Sequence, residues 1–189
     1  ERAKEKGILC FSTPFDHTAV DFLETLDVPC YKIASFENTD VNLIRKVAST
    51  GKPIIVSTGM ASLSDLEMIV KTLKDSGCEQ FTLLKCTSAY PAPYDACNIK
   101  TIPHMTEMLG CPVGLSDHTM GIAVPIAAVA MGACVIEKHF TLSRADGGVD
   151  SAFSLEKEEL KMLVEQTHNA EQAMGKVSYQ AGEKEEKSK

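Results

Sequence analysis

The chain has 189 residues, enough for one domain with a sizeable core. Its 44% hydrophobic and 24% charged composition is ordinarily globular, and no apolar run nears the roughly 20 residues of a membrane span. A net charge of -7 argues against a nucleic-acid surface, so an anionic ligand needs a local cluster of donors.

The first residues, ERAKEKG, are charged, unlike a signal peptide, and read as the end of a helix. With no starting methionine, the chain is expected to be a piece of a longer one. From there apolar strand segments alternate with helical ones. ILCFST (8–13) precedes the helix AVDFLETL. CYKIAS (30–35) precedes NLIRKVAST, and PIIVST (53–58) precedes SLSDLEMIVKTLKDSG, where Ser64 and Glu67 fit a capping box. FTLLKCTS (81–88) leads to NIKTIPHMTEML, and PVGLSD (112–117) to GIAVPIAAVAMG. CVIEKHF (134–140) leads to a last helix for which Ser154 is the expected N-cap and Gly175 the stop. There Leu160, Leu163, Val164, Thr167 and Ala170 share one face at helical spacing. Lys176 to Lys189 is a charged, linker-like run. The seven cysteines are scattered with no CxxC pair, which points to reduced thiols and a cytoplasmic setting.

Strands alternating with helices imply a parallel sheet. No GxGxxG follows any strand, which removes the main support for a doubly wound sheet. Every strand ends in polar residues, as in a barrel that gathers its chemistry at the C-terminal rim. The expected fold is a partial TIM (β/α)8 barrel, six strands covering about strands 3 to 8.

Two histidines, His118 and His139, stand at the same rim of consecutive strands. A lone strand histidine is more often structural. Adjacent strands lie roughly 4.8 Å apart, however, so two imidazoles can share one divalent ion in an open, substrate-accepting site. Hydroxyls stand at five strand ends: Thr13, Ser35, Ser57, Ser88 and Ser116. Singly each is best read as a strand terminator or cap. Together with Lys32 they suggest a phosphate cradle. Lys32 sits inside an apolar strand with no fixed local acid, so it is expected to seek an anion. Glu37 is either a solvated loop carboxylate or a proton carrier. Asp117 is expected to orient a ligand from behind. Lys138 should point away from Glu137 and His139 and be structural.

The segments KIASFE, STGM, KCTSAYPAP, GLSDHT and IEKHFT, in this order, resemble the sialic acid synthase family over essentially the whole chain. KIASFE, KCTSAYPAP and RADGGVDSAFSLE resemble its pseudaminic acid branch, whereas the N-acetylneuraminate branch usually has GPDH where this chain has GGVDSAFS. The resemblance implies a synthase that joins phosphoenolpyruvate to an open-chain acylamino sugar, here 2,4-diacetamido-2,4,6-trideoxy-altrose. It implies a divalent metal, usually Mn²⁺ with Mg²⁺ or Co²⁺ as alternatives, on His118 and His139. It implies phosphoenolpyruvate contacts at Thr13, Lys32, Ser35, Ser57 and Ser116, a catalytic carboxylate at Glu37, and sugar contacts at Tyr90 and Asp150. Ser88 falls where the N-acetylneuraminate branch often has Asn. The family's second-strand lysine and first-strand carboxylate have no counterpart here. Residues 1–175 then form the barrel part, and 176–189 lead toward an antifreeze-like domain whose arginine closes the partner's site in a homodimer. An N-acetylneuraminate or legionaminate synthase remains open, as does an inactive barrel piece or binding remnant.

Overall fold

The computed structural model describes residues 1–188, so Lys189, the last residue of the expected linker, lies outside the described residues. In chain order the elements are α1 (Arg2–Glu5), α2 (His17–Thr25), β1 (Tyr31–Ile33), α3 (Val41–Ala48), β2 (Ile54–Ser57), α4 (Leu63–Asp75) and β3 (Phe81–Cys86). They continue with α5 (Thr101–Leu109), β4 (Val113–Asp117), α6 (Ala123–Ala130), β5 (Ile136–Lys138), α7 (Lys157–Met174) and α8 (Glu183–Glu186). No described helix is long and apolar enough to cross a membrane.

The five strands form one parallel sheet in the order β1-β2-β3-β4-β5. Each connection moves to the next strand in the same direction. Parallel crossovers are right-handed, so the intervening helices pack on one face, as around a barrel and unlike a doubly wound sheet. One contact demonstrates the curvature. In a flat sheet β1 and β5 would stand about 19 Å apart, four strand spacings. Yet Lys32 Nζ on β1 lies 3.3 Å from Glu137 Oε2 on β5. The sheet is therefore curled into a half-barrel.

The core lies between the sheet and its helices. Ile33, Val56, Leu83, Leu43, Ile44, Val47, Ile69 and Leu73 are fully buried within it. α3 presents Leu43, Ile44 and Val47 at the spacing of one helical face. Its start is fixed by Asp40, whose side chain accepts from the Asn42 and Leu43 amides.

Four local expectations are corrected. Residues 8–13 form no strand. Their backbone reaches β1 through the Lys32 amide, which donates to Ser12 O at 3.3 Å. Ile8 (64% exposed), Leu9 (77%) and Phe11 (40%) meet no covering element among the described residues, so neither a ladder nor packing fixes a strand there. The capping box of α4 uses Ser62 and Asp65, not Ser64 and Glu67, because the helix starts at Leu63. α7 is capped by a Glu156–Glu159 box, not by Ser154, whose hydroxyl instead donates to Asp150 O. On α7 Leu163 is buried while Val164 is 61% exposed, so the apolar face is narrower than its spacing suggests. A cleft of about 710 Å³ opens along this flank between α6, β5 and α7.

Candidate active site

At the C-terminal ends of the strands lies a cleft of about 390 Å³. Thr13, Lys32, Ser35, Ser57, Cys86, Tyr90, Ser116, His118, Glu137 and His139 are among its lining residues. The β4–β5 register pairs Leu115 with Ile136, Ser116 with Glu137, and Asp117 with Lys138. Side chains alternate across a strand, so Ser116 and Glu137 share one face and Asp117 and Lys138 the other. The histidines that follow leave the sheet side by side, with ring centres 5.2 Å apart and planes tilted by 57°.

His118 is held firmly. Its Nδ1 lies 3.0 Å from the Thr87 carbonyl, which can only accept, so Nδ1 carries the hydrogen and Nε2 keeps its lone pair. Tyr90 lies against it at 4.3 Å between ring centres. Burial favours the neutral ring, but contact with Cys86 and the Thr87 carbonyl outweighs it and raises the pKa. His139 is more exposed. Its pKa is lowered by burial and by His118, against the pull of Asp150. Asp150 Oδ2 is 3.6 Å from His139 Nδ1.

The donor side is built from β1, β2 and β4. Ser35 Oγ accepts the Gly59 amide at 3.1 Å, and Asn38 donates to the carbonyls of Ser57 and Gly59. A Cβ on Gly59 would stand 2.1 Å from Ser88 Oγ and 2.6 Å from Ser35 Oγ, so only glycine fits this approach. Ser57 Oγ is buried and has no hydrogen-bond partner among the described residues. Buried hydroxyls are normally paired, so an orphan at a cleft wall suits an incoming acceptor.

The structure alters several expected roles. Lys32 does have a local acid: Glu137, which also accepts from Ser116 Oγ at 2.6 Å. Glu137 thus joins two donors of the cleft wall and was missed in the sequence, because β1 meets β5 only through curvature. Asp117 does not orient His118. Its carboxylate takes the Thr119 amide and hydroxyl and a buried ion pair with Lys138 at 2.5 Å. The Thr87 carbonyl does the orienting instead. Lys138 is structural, as its alternation implied. Glu37 stands outside the cleft lining, with Oε2 unpartnered among the described residues; burial raises its pKa, against its own amide and Lys32. Ser88 is also outside the lining and contacts Cys86 at 3.9 Å. Asn38, Gly59 and Cys86 were not singled out in the sequence. The Cys86 thiol settles at about 7: burial opposes ionisation, and His118 with the Ser35 and Ser88 hydroxyls overcomes it.

The donors at hand decide whether a metal fits. Among the described residues no group of three or more His, Cys, Asp or Glu converges on one point. Two imidazoles stand with ring centres 5.2 Å apart, a separation that one ion at about 2.0–2.1 Å from a nitrogen of each could span. The donor set suits a weakly held ion with open positions.

A model of the NeuB family matches residues 1–179. The chain belongs to the NeuB family. It is 45% identical over 175 residues to a pseudaminic acid synthase of Campylobacter jejuni, covering 93% of this chain and 51% of that protein. It is 44% identical over 187 residues to an N,N'-diacetyllegionaminic acid synthase of the same species, covering 98% and 56%. Among solved structures, the N-acetylneuraminic acid synthetase of Leptospira borgpetersenii, a citrate complex, superposes with a TM-score of 0.92. It is 35% identical, with 99% of this chain and 65% of that one covered. The chain spans about half the length of these curated relatives. The resemblance read from the five motifs, and the barrel class, therefore hold for this NeuB family member.

Proposed function

We propose that this NeuB family chain carries much of the active site of a synthase that condenses phosphoenolpyruvate with an open-chain acylamino sugar. The favoured sugar is 2,4-diacetamido-2,4,6-trideoxy-altrose, giving pseudaminic acid and phosphate. The observation that carries this reading is one cleft with two ends: Lys32 and the unpartnered Ser57 hydroxyl at one, the paired imidazoles of His118 and His139 at the other. Such a cleft suits an anion beside a carbonyl.

Lys32, Ser57 and Ser116 bind the phosphate of phosphoenolpyruvate, with Ser35 and Thr13 beside them. Lys32 and Ser116 exchange Glu137 for the incoming anion, so binding turns on the difference between two charge-assisted contacts. A divalent ion held by His118 and His139, Mn²⁺ by preference with Mg²⁺ or Co²⁺ as alternatives, would polarise the sugar's aldehyde oxygen. The cleft brings C3 of phosphoenolpyruvate to the aldehyde carbon. A carbon–carbon bond forms as the enol π pair moves to it, and the aldehyde oxygen takes the carbonyl pair and then a proton. Water adds at C2 and gives up a proton; the C2–O bond to phosphate then breaks with its electron pair going to phosphate, and the C2 hydroxyl yields its second proton to the phosphate as it becomes the ketone. Glu37, with its raised pKa, is suited to hold a proton in this exchange. Tyr90 and Asp150, flanking His139, are the sugar contacts. We place the whole protein in the cytoplasm as a homodimer.

The legionaminic acid reading is the rival, since that relative is 44% identical. The test is phosphate release from phosphoenolpyruvate by the whole protein with each candidate sugar. Turnover confined to the altrose derivative is expected. Turnover confined to the legionaminate precursor would move the assignment, and none with any sugar would reject the reaction.

A further inference from the structure

The loop from β5 to α7 is tied down at its base and turns tightly at its tip. At the base, the Leu155 amide donates to the carbonyl of His139 itself at 2.8 Å, and the Thr141 amide donates to Leu155 O at 2.9 Å. At the tip, Gly147 and Gly148 have φ of 77° and 130°, and Val149 is wholly exposed. Between them stands Arg144. Its backbone amide donates to Glu156 Oε1 at 2.8 Å. Its guanidinium donates to Ser154 O at 2.9 Å and, through both terminal nitrogens, to Glu159 at 2.5 and 3.1 Å. Ser154 in turn donates its hydroxyl to Asp150 O at 2.8 Å. This loop delivers two groups to His139: the Asp150 carboxylate at 3.6 Å, and the ring of Phe153, buried, with its centre 5.1 Å from the imidazole.

We infer that Arg144 is a positioning residue that, by closing this loop, sets Asp150 and Phe153 against His139 and so fixes the second imidazole of the metal pair. The path is continuous: Arg144 to the Ser154 carbonyl, the Ser154 hydroxyl to the Asp150 carbonyl, and the Asp150 carboxylate to His139. Half-exposed ion pairs add little stability, so the value of this one lies in geometry. A planar fork is needed, since one guanidinium grips a carboxylate with two nitrogens while reaching a carbonyl; lysine cannot do this. β4 needs no such device, because His118 is held from the sheet by the Thr87 carbonyl.

The inference rests on the proposed role of the histidine pair, and the experiment separates the two. In the whole protein, Arg144→Lys and Arg144→Ala are made in the native and Asp150→Asn backgrounds, alongside His118→Ala. Mn²⁺ binding is measured without substrates by electron paramagnetic resonance, with thermal unfolding and amide exchange of residues 140–155. Arg144→Lys is expected to weaken Mn²⁺ binding about tenfold, in the range for partners that orient ligands, and to speed exchange in the loop. With Asp150→Asn already present it should add clearly less, since only the Phe153 contact then depends on it. Native-like Mn²⁺ binding by Arg144→Lys would overturn the inference, as would equal weakening in both backgrounds or a change in unfolding alone. If His118→Ala also binds Mn²⁺ like the native protein, the histidine pair itself is misassigned. If Arg144→Ala does not fold, the lysine variant, which keeps stem and charge, decides the matter.

Discussion

β4 ends in Ser116 and Asp117, with His118 just beyond, and β5 in Glu137 and Lys138, with His139 just beyond; their register sets the strand pairs side by side. The first two pairs bond across the strands, one hydroxyl to carboxylate and one buried ion pair. Yet every residue of β4 is buried and every residue of β5 is only partly so. The side chain of His139 is 33% exposed, whereas the His118 residue is 6% exposed. The pKa values move oppositely, up for His118 and down for His139. One imidazole is thus placed by the middle of a sheet and the other by an edge strand and its loop. A site built across that boundary takes its precision from the sheet and its adjustability from the loop.

The strongest way to break this contrast is His118→Ala in the whole protein. Loss of the better-held imidazole should lower turnover on the order of 10²–10³-fold, because Lewis-acid stabilisation is worth several kcal/mol. Exhaustive chelation should match it, and readdition of Mn²⁺ should restore only the native protein. Unchanged activity after chelation would remove the metal from the mechanism. Both rings must be neutral to bind metal. Since the pKa of His118 is raised, Mn²⁺ affinity should begin to fall, as pH drops, above the ordinary histidine value.

Lys32→Ala probes the donor side that the metal side is contrasted with. Losing a charge-assisted contact worth about 1.5–3 kcal/mol should raise KM for phosphoenolpyruvate roughly 10- to 100-fold. KM for the sugar should hold. Worse sugar saturation with normal phosphoenolpyruvate saturation would invert the two ends of the cleft. Glu137→Gln should act oppositely on phosphate affinity, freeing Lys32 and Ser116 from a competing anion.

Gly114→Ala attacks the seam between the two strands. The added Cβ would sit 2.3 Å from Val135 O, within the β4–β5 pairing. Overpacking of this kind costs about 1–3 kcal/mol. Chemical denaturation should show the loss, with weaker Mn²⁺ binding as His139 shifts against His118. Full stability with native binding would show that the seam yields without moving the histidines.

The smallest effect serves as the control. Ser62→Ala removes the cap of α4, outside the cleft lining, and should cost about 1 kcal/mol with turnover unchanged. Glu67→Ala, the position expected from the sequence motif, should cost less. The reverse order would restore the Ser64–Glu67 box.

The strand–helix alternation was legible because burial imposes periods of two and 3.6 on apolar residues, and the polar strand ends marked the rim. That Ser35, Ser57, Ser116, His118 and His139 line one cleft could be anticipated because each is fixed by its own strand's end. The segment 8–13 was not legible, since an apolar run reads as a strand whether or not a partner and a cover exist for it. Cys86 read as an ordinary apolar strand residue until folding set His118 beside it at 3.9 Å.

By itself, then, the sequence determined the order of the elements, the face each strand turns inward, and the two histidines at one rim. Those follow from local periodicity and from chain neighbours. Only the tertiary structure decided which acid meets Lys32, which carbonyl orients His118, and what holds His139. Each of these partners comes from a different strand or loop, and sheet curvature and loop closure, not spacing along the chain, bring them into contact.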